Sequence, residues 1–246
     1  MIMKQTIFEI KYNAPIAANT YLMRLEGDTT GSCRPGTFVN IKLEGKYLRR
    51  PISVCDCDDN ILTIVYKAVG SGTRQMAEMT EGQKLDVLTG LGNGYDLTIC
   101  GDRPLLIGGG VGVPPLYLLC KKLCGAGKKV SVILGFNRRE EVFFEEEFRA
   151  LGAEVYVTTA DGSYGTKGFV TTVMPNIDYD CFFTCGPEPM LKAVYAESGD
   201  VSGQFSFEER MGCGFGACMG CSCKTKYGNK RICRDGPVLY KEEIIW

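Results

Sequence analysis

The feature that most constrains this chain is a set of cysteines near its C-terminal end. Five of its thirteen cysteines fall within residues 213–233, and four follow the pattern Cys213-x4-Cys218-x2-Cys221 and then Cys233. This spacing is typical of plant-type 2Fe–2S sites, in which thiolates converge on one small cluster. The interleaved glycines favour such a site, because glycine permits positive φ and lets backbone N–H groups approach sulfur. The segment therefore predicts a 2Fe–2S cluster held by these four thiolates.

Other uses of these cysteines fit less well. Structural zinc mostly takes two well-separated cysteine pairs, whereas three predicted ligands here crowd into the nine residues 213–221. A Rieske centre needs histidine, and the chain has none. Disulfides are disfavoured because thirteen is an odd number and no secretory signal is visible. Cys223 leaves the third ligand open, because it lies two residues from Cys221.

Composition narrows the class of function. The chain has 246 residues, 45% of them hydrophobic, which allows two domains and a small module. Its net charge of −1, without a basic run, gives no reason to expect nucleic acid. The apolar stretch 105–120 is broken by glycines and prolines, so no membrane span is expected. Cysteines without visible partners predict a reducing compartment, the cytoplasm. The lack of histidine excludes Cys–His and Ser–His catalysis and favours chemistry done by cofactors.

Residues 1–100 are predicted to form an antiparallel β sandwich or barrel. Short runs rich in β-branched and aromatic residues recur about every ten residues and are separated by turn residues. The expected strands are 2–12, 20–26, 37–43, 50–55 and 61–69, with a short helix at 74–79.

Two motifs in this region suit a flavin dinucleotide. Arg50 can fork onto a pyrophosphate, while Pro51 and Ser53 would lie beside a flavin ring. Gly72 and Thr73 precede the helix and offer free N–H groups to the same anion. A surface arginine or a glycine-rich turn explains either motif alone, but the two together indicate FAD.

From residue 101 the pattern changes to strands alternating with helices, which predicts a parallel, doubly wound α/β sheet. The expected strands are 103–108, 130–134, 154–158 and 180–184. One expected helix ends near residue 123, and three others span 143–151, 168–174 and 188–195. Ligands bind such sheets at the carboxyl ends of the strands. Two turns fall there, and their residues are Gly108, Gly109, Gly110 and Gly112, and Cys185, Gly186 and Pro187.

These two turns favour a nicotinamide dinucleotide, although a glycine turn can also serve only to pack a helix closely. Cys185 has two interpretations, a thiol beside the nicotinamide or a buried hydrophobic residue. Residues 137–140, Asn-Arg-Arg-Glu, leave NAD and NADP open. An acidic residue there suits the ribose of NAD, whereas arginine suits the extra phosphate of NADP.

The order of these motifs resembles the electron-transfer subunits of the NAD-dependent class B dihydroorotate dehydrogenases, within the ferredoxin reductase superfamily. The resemblance covers essentially the whole chain, and the cysteine cluster with its Gly-Pro-Val tail is its most specific part. The matching segments are 50–53, 70–73, 91–94, 108–115, 185–190, 208–213 and 233–237.

The resemblance implies three parts: an FAD-binding β-barrel at 1–100, an NAD-binding α/β domain at 101–203 and a 2Fe–2S module at 204–246. It implies that FAD is held by Arg50, Pro51, Ile52, Ser53, Val65, Tyr66, Lys67, Gly72 and Thr73. It also assigns the cluster to Cys213, Cys218, Cys221 and Cys233. Ile52 departs from the superfamily, which usually has an aromatic residue there, so stacking on the flavin would fall to a residue such as Tyr66.

The resemblance further implies an FMN-containing catalytic subunit that oxidises dihydroorotate, with two copies of each chain in a heterotetramer. Electrons would pass from FMN through the cluster and FAD to NAD, in pyrimidine biosynthesis. Two alternatives remain open. One is an electron-transfer subunit of an NADH-dependent ferredoxin:NADP oxidoreductase or sulfide dehydrogenase, and the other is a redox-sensing binding module without turnover.

Overall fold

The first part of the protein is a closed β-barrel in the computed structural model, which describes residues 3–246. Ile2, where the first strand was expected to begin, lies outside the described residues. Six antiparallel strands close the barrel in the order β1-β2-β5-β4-β3-β6. They are β1 (Lys4–Ala17), β2 (Thr20–Glu26), β3 (Phe38–Ile41), β4 (Arg50–Asp58), β5 (Ile61–Lys67) and β6 (Lys84–Leu91). Helix α1 (Ser71–Ala77) connects β5 to β6.

The barrel confirms the predicted β class, and its sixth strand is an addition to the sequence-based prediction. Strand β6 pairs with both β1 and β3 and thereby closes the barrel. Its inward residues Leu85 and Val87 are buried, whereas Lys84 at its start is exposed. This alternation is typical of a strand with one buried face.

The second part is a seven-stranded sheet of order β10-β9-β8-β7-β11-β12-β15. The remaining strands are β7 (Pro104–Gly109), β8 (Ser131–Phe136), β9 (Glu154–Thr159), β10 (Thr166–Lys167), β11 (Cys181–Cys185), β12 (Gly203–Ser206), β13 (Ser222–Thr225), β14 (Gly228–Arg231) and β15 (Val238–Tyr240). The remaining helices are α2 (Tyr117–Gly125), α3 (Glu145–Ala150), α4 (Glu188–Glu197) and α5 (Ile232–Asp235). Among residues 3–246, no helix has the length and apolar character needed to cross a membrane.

The predicted doubly wound sheet is confirmed, because all neighbouring strands from β10 to β12 are parallel. The expected helix at 168–174 is wrong. Two 3₁₀ turns, Val170–Thr172 and Met174–Asn176, stand in its place. A run of β-branched residues and then Pro175 explains the difference, since both disfavour a continuous α-helix.

The segment that carries the cysteine cluster begins and ends in the α/β sheet. It leaves the sheet after β12, forms the β13–β14 hairpin and α5, and returns as β15, antiparallel to β12. The Phe207 N–H donates to the carbonyl of Pro237 at 2.9 Å, just beyond this ladder. The expected boundary between residues 203 and 204 therefore falls inside a strand of the sheet.

Asn93, just after β6, fastens this segment to the barrel. Its Nδ2 donates to the carbonyl of Val238 at 2.7 Å, and its Oδ1 accepts from the Val238 N–H at 3.1 Å. Its own N–H donates to the carbonyl of Gly236 at 2.6 Å. One side-chain amide thus pairs with β15 as a neighbouring strand would.

Trp246, the only tryptophan, packs at the corner between α4 and the cysteine segment. Its ring centre lies 5.6 Å from that of Phe207 and 6.3 Å from that of Phe205. The Lys192 ammonium lies 5.5 Å above the indole. This aromatic group covers the end of β12 where the cysteine segment begins.

Four cysteines are paired, which corrects the expectation of free thiols throughout. The sulfur atoms of Cys33 and Cys57 are joined in the barrel, and those of Cys100 and Cys181 are joined at the base of the sheet. The other nine cysteines are free. The partners lie 24 and 81 residues apart, so their contact arises only from tertiary folding.

Substituting Asn93→Ala should lower the free energy of unfolding by about 2 kcal/mol, because two part-buried backbone groups lose their partners. Thermal and urea unfolding of the purified chain measure the effect. Asn60→Ala is the matched control, since the Asn60 amide makes only an exposed contact with Glu26. Equal stability of the two variants would show that Asn93 does not fasten the segment.

Candidate cofactor sites

Three of the four cysteines predicted to bind the cluster accept backbone hydrogen bonds at their sulfur atoms, and the fourth, Cys233, donates one of these bonds. The N–H groups of Ala217 and Cys218 donate to the sulfur of Cys213 at 3.2 and 3.4 Å. The Cys213 N–H donates to the sulfur of Cys218 at 3.4 Å. The Cys233 N–H donates in the same way to the sulfur of Cys221 at 3.4 Å. Such N–H donors stabilise the thiolates and tune the redox potential of a metal that the thiolates bind.

Positive φ angles shape the loop between these cysteines. They occur at Gly214 (80°), Gly216 (93°) and Met219 (62°). A Cβ atom at Gly214 would lie 2.3 Å from the Asn40 side-chain nitrogen, and one at Gly216 would lie 2.7 Å from Arg234 Cδ. Both glycines are therefore required for close approach as well as for backbone conformation.

The sulfur atoms differ in acidity. Burial raises the pKa of Cys213, but hydrogen bonds, led by the backbone N–H groups of Cys218 and Phe215, outweigh it and bring that pKa to about 6. Burial, followed by the hydrogen bond and charge of Cys221, raises the pKa of Cys233 to about 12. A cluster whose iron favours thiolate ligands would offset the cost at Cys233. Four free thiols with converging N–H donors therefore fit a 2Fe–2S cluster.

Cys223 lies apart from this arrangement of hydrogen bonds. It stands on β13 opposite Lys230, and it lines a separate cavity of about 410 Å³ beside Trp246. Cys221 is 2% exposed and bonds the Cys233 N–H. This geometry favours Cys221 as the third ligand.

The flavin motifs of the barrel come together where α1 begins. A Cβ atom at Gly72 would lie 2.2 Å from Arg50 Nε, so glycine alone lets the guanidinium lie against the start of this helix. The Thr73 hydroxyl accepts from the N–H groups of Val69 and Gly70 at 3.1 Å each. A cation beside an open turn fits the pyrophosphate of FAD.

Tyr66 does not offer a ring face for stacking. It is 2% exposed, its ring is stacked on Tyr21 with 5.8 Å between centres, and its hydroxyl donates to Asn13 at 2.8 Å. The stacking role suggested for Tyr66 is therefore not supported, because the ladder places both tyrosines side by side in the barrel. Val65 is also buried, whereas Lys67 is half-buried at the end of β5.

A cavity of about 580 Å³ lies at the carboxyl ends of β7, β8 and β11. Gly109, Gly110 and Pro187 from the predicted turns line it, and so does Lys67 from the barrel. A predicted flavin residue and three predicted dinucleotide residues therefore share one cavity.

The remaining turn residues build the floor beneath this cavity. A Cβ atom at Gly112 would lie 2.2 Å from the carbonyl oxygen of Cys185, and one at Gly186 would lie 2.5 Å from Met190 Cε. A Cβ atom at Gly108 would lie 2.9 Å from the backbone of Val113. The two turns therefore pack directly on each other, which only glycine allows.

Cys185 behaves as a packed thiol. It is 2% exposed, and burial raises the pKa of its thiol well above the ordinary value. These observations favour the second of its two interpretations, the buried hydrophobic residue.

Two acidic residues of this cavity were missed at the level of sequence. Glu208, directly after β12, lines both cavities, and burial of its carboxyl raises its pKa although the residue reaches the surface. Glu141 lies 3.6 Å from the Lys67 ammonium and accepts from the Asn137 amide at 3.0 Å. Glu141 follows the predicted Asn-Arg-Arg-Glu motif by one residue, which is the only signal that could have indicated it.

Neither arginine of that motif lines the cavity. Arg138 pairs with Glu140 and Glu141 at 3.9 Å, and the Arg139 guanidinium lies 5.5 Å above the Tyr164 ring. The lining contains Asn137 and Glu141 instead. Together with Glu208 the lining holds two carboxyl groups and one ammonium, that of Lys67, so its charge disfavours an extra phosphate.

Asn40, also missed, connects the barrel to the cysteine loop. In the β3–β4 ladder it stands opposite Pro51, and its Nδ2 donates to the carbonyl of Cys213 at 3.2 Å. The flavin strand and the cluster loop are thus separated by one residue of β3.

Comparison with known proteins matches both the motif and the whole chain. The iron-sulfur cluster binding domain of dihydroorotate dehydrogenase B matches residues 208–245. The dihydroorotate dehydrogenase B (NAD(+)) electron transfer subunit of Fusobacterium nucleatum is 46% identical over 251 residues, covering 96% of each chain. The subunit of the same name from a Geobacillus species is 43% identical, covering 99% of this chain and all of its own.

Solved structures agree with this likeness. A chain from a study of flavin-based electron bifurcation by an NADH-dependent reduced ferredoxin-NADP oxidoreductase has a TM-score of 0.86 and 30% identity, covering 97% of this chain and 90% of its own. The ferredoxin reductase of carbazole 1,9a-dioxygenase has a TM-score of 0.69 and 20% identity, covering 81% of this chain and 66% of its own. The second shows a shared fold.

The cavity predicts a preference for NADH over NADPH, because the Glu141 carboxylate repels an additional phosphate. We expect kcat/KM with an artificial acceptor to be at least about tenfold higher for NADH, a difference of about 1.4 kcal/mol. Glu141→Gln should lower the ratio of kcat/KM for NADH to kcat/KM for NADPH. Glu140→Gln, a change at an exposed carboxylate, should leave this ratio unchanged. A higher kcat/KM for NADPH in the unmodified protein would contradict the prediction.

Proposed function

Because the chain belongs to the family of dihydroorotate dehydrogenase B (NAD(+)) electron transfer subunits, we propose that it carries electrons from an FMN-containing dihydroorotate dehydrogenase subunit to NAD in pyrimidine biosynthesis. The observation that carries the proposal is the adjacency of its sites. Asn40 links β4, the strand that carries Pro51, to the cluster loop, and Lys67 at the end of β5 lines the dinucleotide cavity. Residues of all three predicted cofactor sites therefore meet around one face of the barrel.

The residues present fit three cofactors. Arg50, Gly72 and Thr73 would hold the FAD pyrophosphate, with Pro51, Ile52 and Ser53 along its ring. The cluster would be held by Cys213, Cys218, Cys221 and Cys233, and the dinucleotide by the turns at 108–112 and 185–187. When bound, FAD exchanges single electrons with a 2Fe–2S cluster and hydride with NAD(H), so it joins the two kinds of carrier.

The chain's own residues position these groups. The Asn40 amide holds the Cys213 carbonyl against the strand that carries Pro51, which fixes the loop relative to the flavin motif. The Lys67–Glu141 ion pair spans the barrel and the α/β sheet beside the dinucleotide cavity. Together these contacts keep the sites at short separations without any covalent link between them.

The oxidation of dihydroorotate belongs to the partner subunit in this proposal. Removing hydrogen across a carbon–carbon bond needs a positioned base as well as a hydride acceptor. This chain has no histidine, and Cys185 is buried with a raised pKa. Lys67, one of the residues predicted to hold FAD, shares a cavity with the dinucleotide turns, so the flavin would meet NAD on that side.

The cluster loop is the proposed docking surface for the partner. Cys218 is exposed, and two apolar neighbours, Phe215 and Met219, are 45% and 56% exposed. An electron carrier is useful only near both of its redox partners, and apolar side chains around an exposed ligand suit a protein interface.

We further propose two copies of each chain in the assembly, a cytoplasmic location, and functional parts at 1–100, 101–203 and 204–246.

A second candidate is the corresponding subunit of an NADH-dependent reduced ferredoxin-NADP oxidoreductase. It is favoured by the 30% identity and 0.86 TM-score to a chain from the study of that enzyme. Such a subunit would serve a different flavoprotein partner, so reconstitution distinguishes the two candidates.

Anaerobically purified protein should contain about two irons and two sulfides per chain. Changing any of Cys213, Cys218, Cys221 or Cys233 to serine should remove or destabilise the cluster, because each thiolate is one of four ligands. Iron and sulfide analysis and the visible spectrum measure this. Cys223→Ser is the matched control and should retain the cluster. A cluster that survives Cys221→Ser and is lost in Cys223→Ser would reassign the third ligand, and zinc without sulfide would refute the assignment.

The isolated chain should oxidise NADH with an artificial acceptor but show no dihydroorotate-dependent reduction of NAD. Addition of the cognate FMN-containing subunit should make dihydroorotate-dependent reduction of NAD possible, because the base and the dihydroorotate site lie in that subunit. Formation of NADH, followed at its absorbance band, gives the rate. Turnover of dihydroorotate by the chain alone would refute the division of labour. Restoration by a ferredoxin:NADP oxidoreductase partner instead would favour the second candidate.

A further inference from the structure

A second group of sulfur atoms lies at the base of the α/β sheet, at the opposite end of β11 from the dinucleotide turns. Cys181 begins β11 and is buried, while Cys100 is half-buried in the connection between barrel and sheet. Their Cα atoms are 5.3 Å apart, and their sulfur atoms are joined. This separation is within the range of about 4.4–6.8 Å that disulfides adopt without moving the backbone.

A carboxylate accompanies the two cysteines. One carboxylate oxygen of Asp180 and both sulfur atoms lie within 4.8 Å of one another. Oδ2 of Asp180 accepts from the N–H groups of Asp102 and Arg103 at 2.8 and 2.9 Å. Oδ1 is buried and has no hydrogen-bond partner among residues 3–246. A Cβ atom at Gly101 would lie 2.5 Å from Oδ2, so glycine admits the carboxylate.

We propose that Cys100 and Cys181 form a reversible thiol–disulfide site, separate from the cofactor sites, that reacts with low-molecular-weight thiols and disulfides. The Asp180 carboxylate supports reversibility, because one of its oxygens is buried without a hydrogen-bond partner among residues 3–246. In the joined state the sulfur atoms donate nothing to this carboxylate, whereas reduction creates two S–H donors within 4.8 Å of one of its oxygens. A buried acceptor that gains a donor favours the reduced form, so the pair is a labile one rather than a permanent crosslink.

The reaction balances with a low-molecular-weight disulfide as the oxidant. The half-buried Cys100 thiolate attacks one sulfur of the incoming disulfide, forming a mixed disulfide and releasing the first small thiol. The buried Cys181 thiolate then attacks the Cys100 sulfur, closes the pair and releases the second small thiol. The two protein thiols lose two electrons and two protons, and the small disulfide gains both. Reduced small thiol reverses both steps.

The site lies where it can control the junction between barrel and sheet. Cys100 belongs to the connection that leaves the barrel, and β11 is central in the sheet and ends at Cys185. The crosslink closes a loop of 81 residues that contains β7 to β10. Closing so long a loop restricts the unfolded chain, so oxidation should stabilise the α/β part.

The test uses cofactor-loaded protein carrying Cys33→Ser, which removes the other disulfide and leaves Cys100 and Cys181 as the pair under study. Samples equilibrated with reduced or oxidised glutathione are alkylated and analysed by peptide mass spectrometry, while the visible spectrum reports that the cluster is intact. We expect a Cys100–Cys181 crosslink that forms with oxidised glutathione and opens with millimolar reduced glutathione. The oxidised form should melt about 5 to 10 °C higher.

Cys33→Ser combined with Cys100→Ser is the matched control, and it should show neither the crosslink nor the shift in melting temperature. A crosslink that resists reduced glutathione would mean a permanent disulfide and would overturn the proposal. Absence of a crosslink at every glutathione ratio would also overturn it. Incubation of the reduced protein with zinc alone provides the remaining arm. One zinc per chain that blocks alkylation of Cys100 and Cys181 would make the group a metal site instead.

Discussion

The antiparallel ladder between β12 and β15 is the interaction on which the arrangement of the three sites depends. It returns the chain to the α/β sheet after the cysteine segment, so both ends of that segment are held in one rigid sheet. Tyr240, opposite Gln204 in this ladder, also donates to Asp96 at 2.6 Å, and Gln204 exchanges hydrogen bonds with the Asp96 backbone. The connection from the barrel is thereby fixed to the same two strands.

Once the segment is held at its ends, small polar contacts determine where its loop lies. Asn93 fastens β15 to the end of β6, and Asn40 fastens the Cys213 carbonyl to β3. Each amide satisfies backbone groups that would otherwise lack partners, and it does so across a boundary between parts of the fold. Electron transfer needs fixed, short separations, and these amides supply them with few atoms.

The local signals in the sequence were sufficient for the fold class, and they also supplied the site residues, which stay predictions. The cysteine spacing, the Arg-Pro-Ile-Ser strand and the two glycine turns act within a few residues, so each could be recognised in isolation. Contacts between distant segments could not. Strand β6 was missed because its buried face needs β1 and β3, Asn40 because its partner is Cys213, and the paired cysteines because folding alone joins them. Tyr66 failed as a stacking residue because Tyr21, its neighbour in the ladder, occupies its face.

The position of Trp246 gives the molecule an internal optical probe. As the only tryptophan, packed on Phe207 beneath the Lys192 ammonium, it senses one corner of the fold, where the cysteine segment leaves the sheet. Its emission therefore carries no background from the barrel. The indole is 40% exposed in the fold, so release of the segment from β12 would change its emission mainly by separating it from Phe205 and Phe207, and fluorescence would follow this one junction.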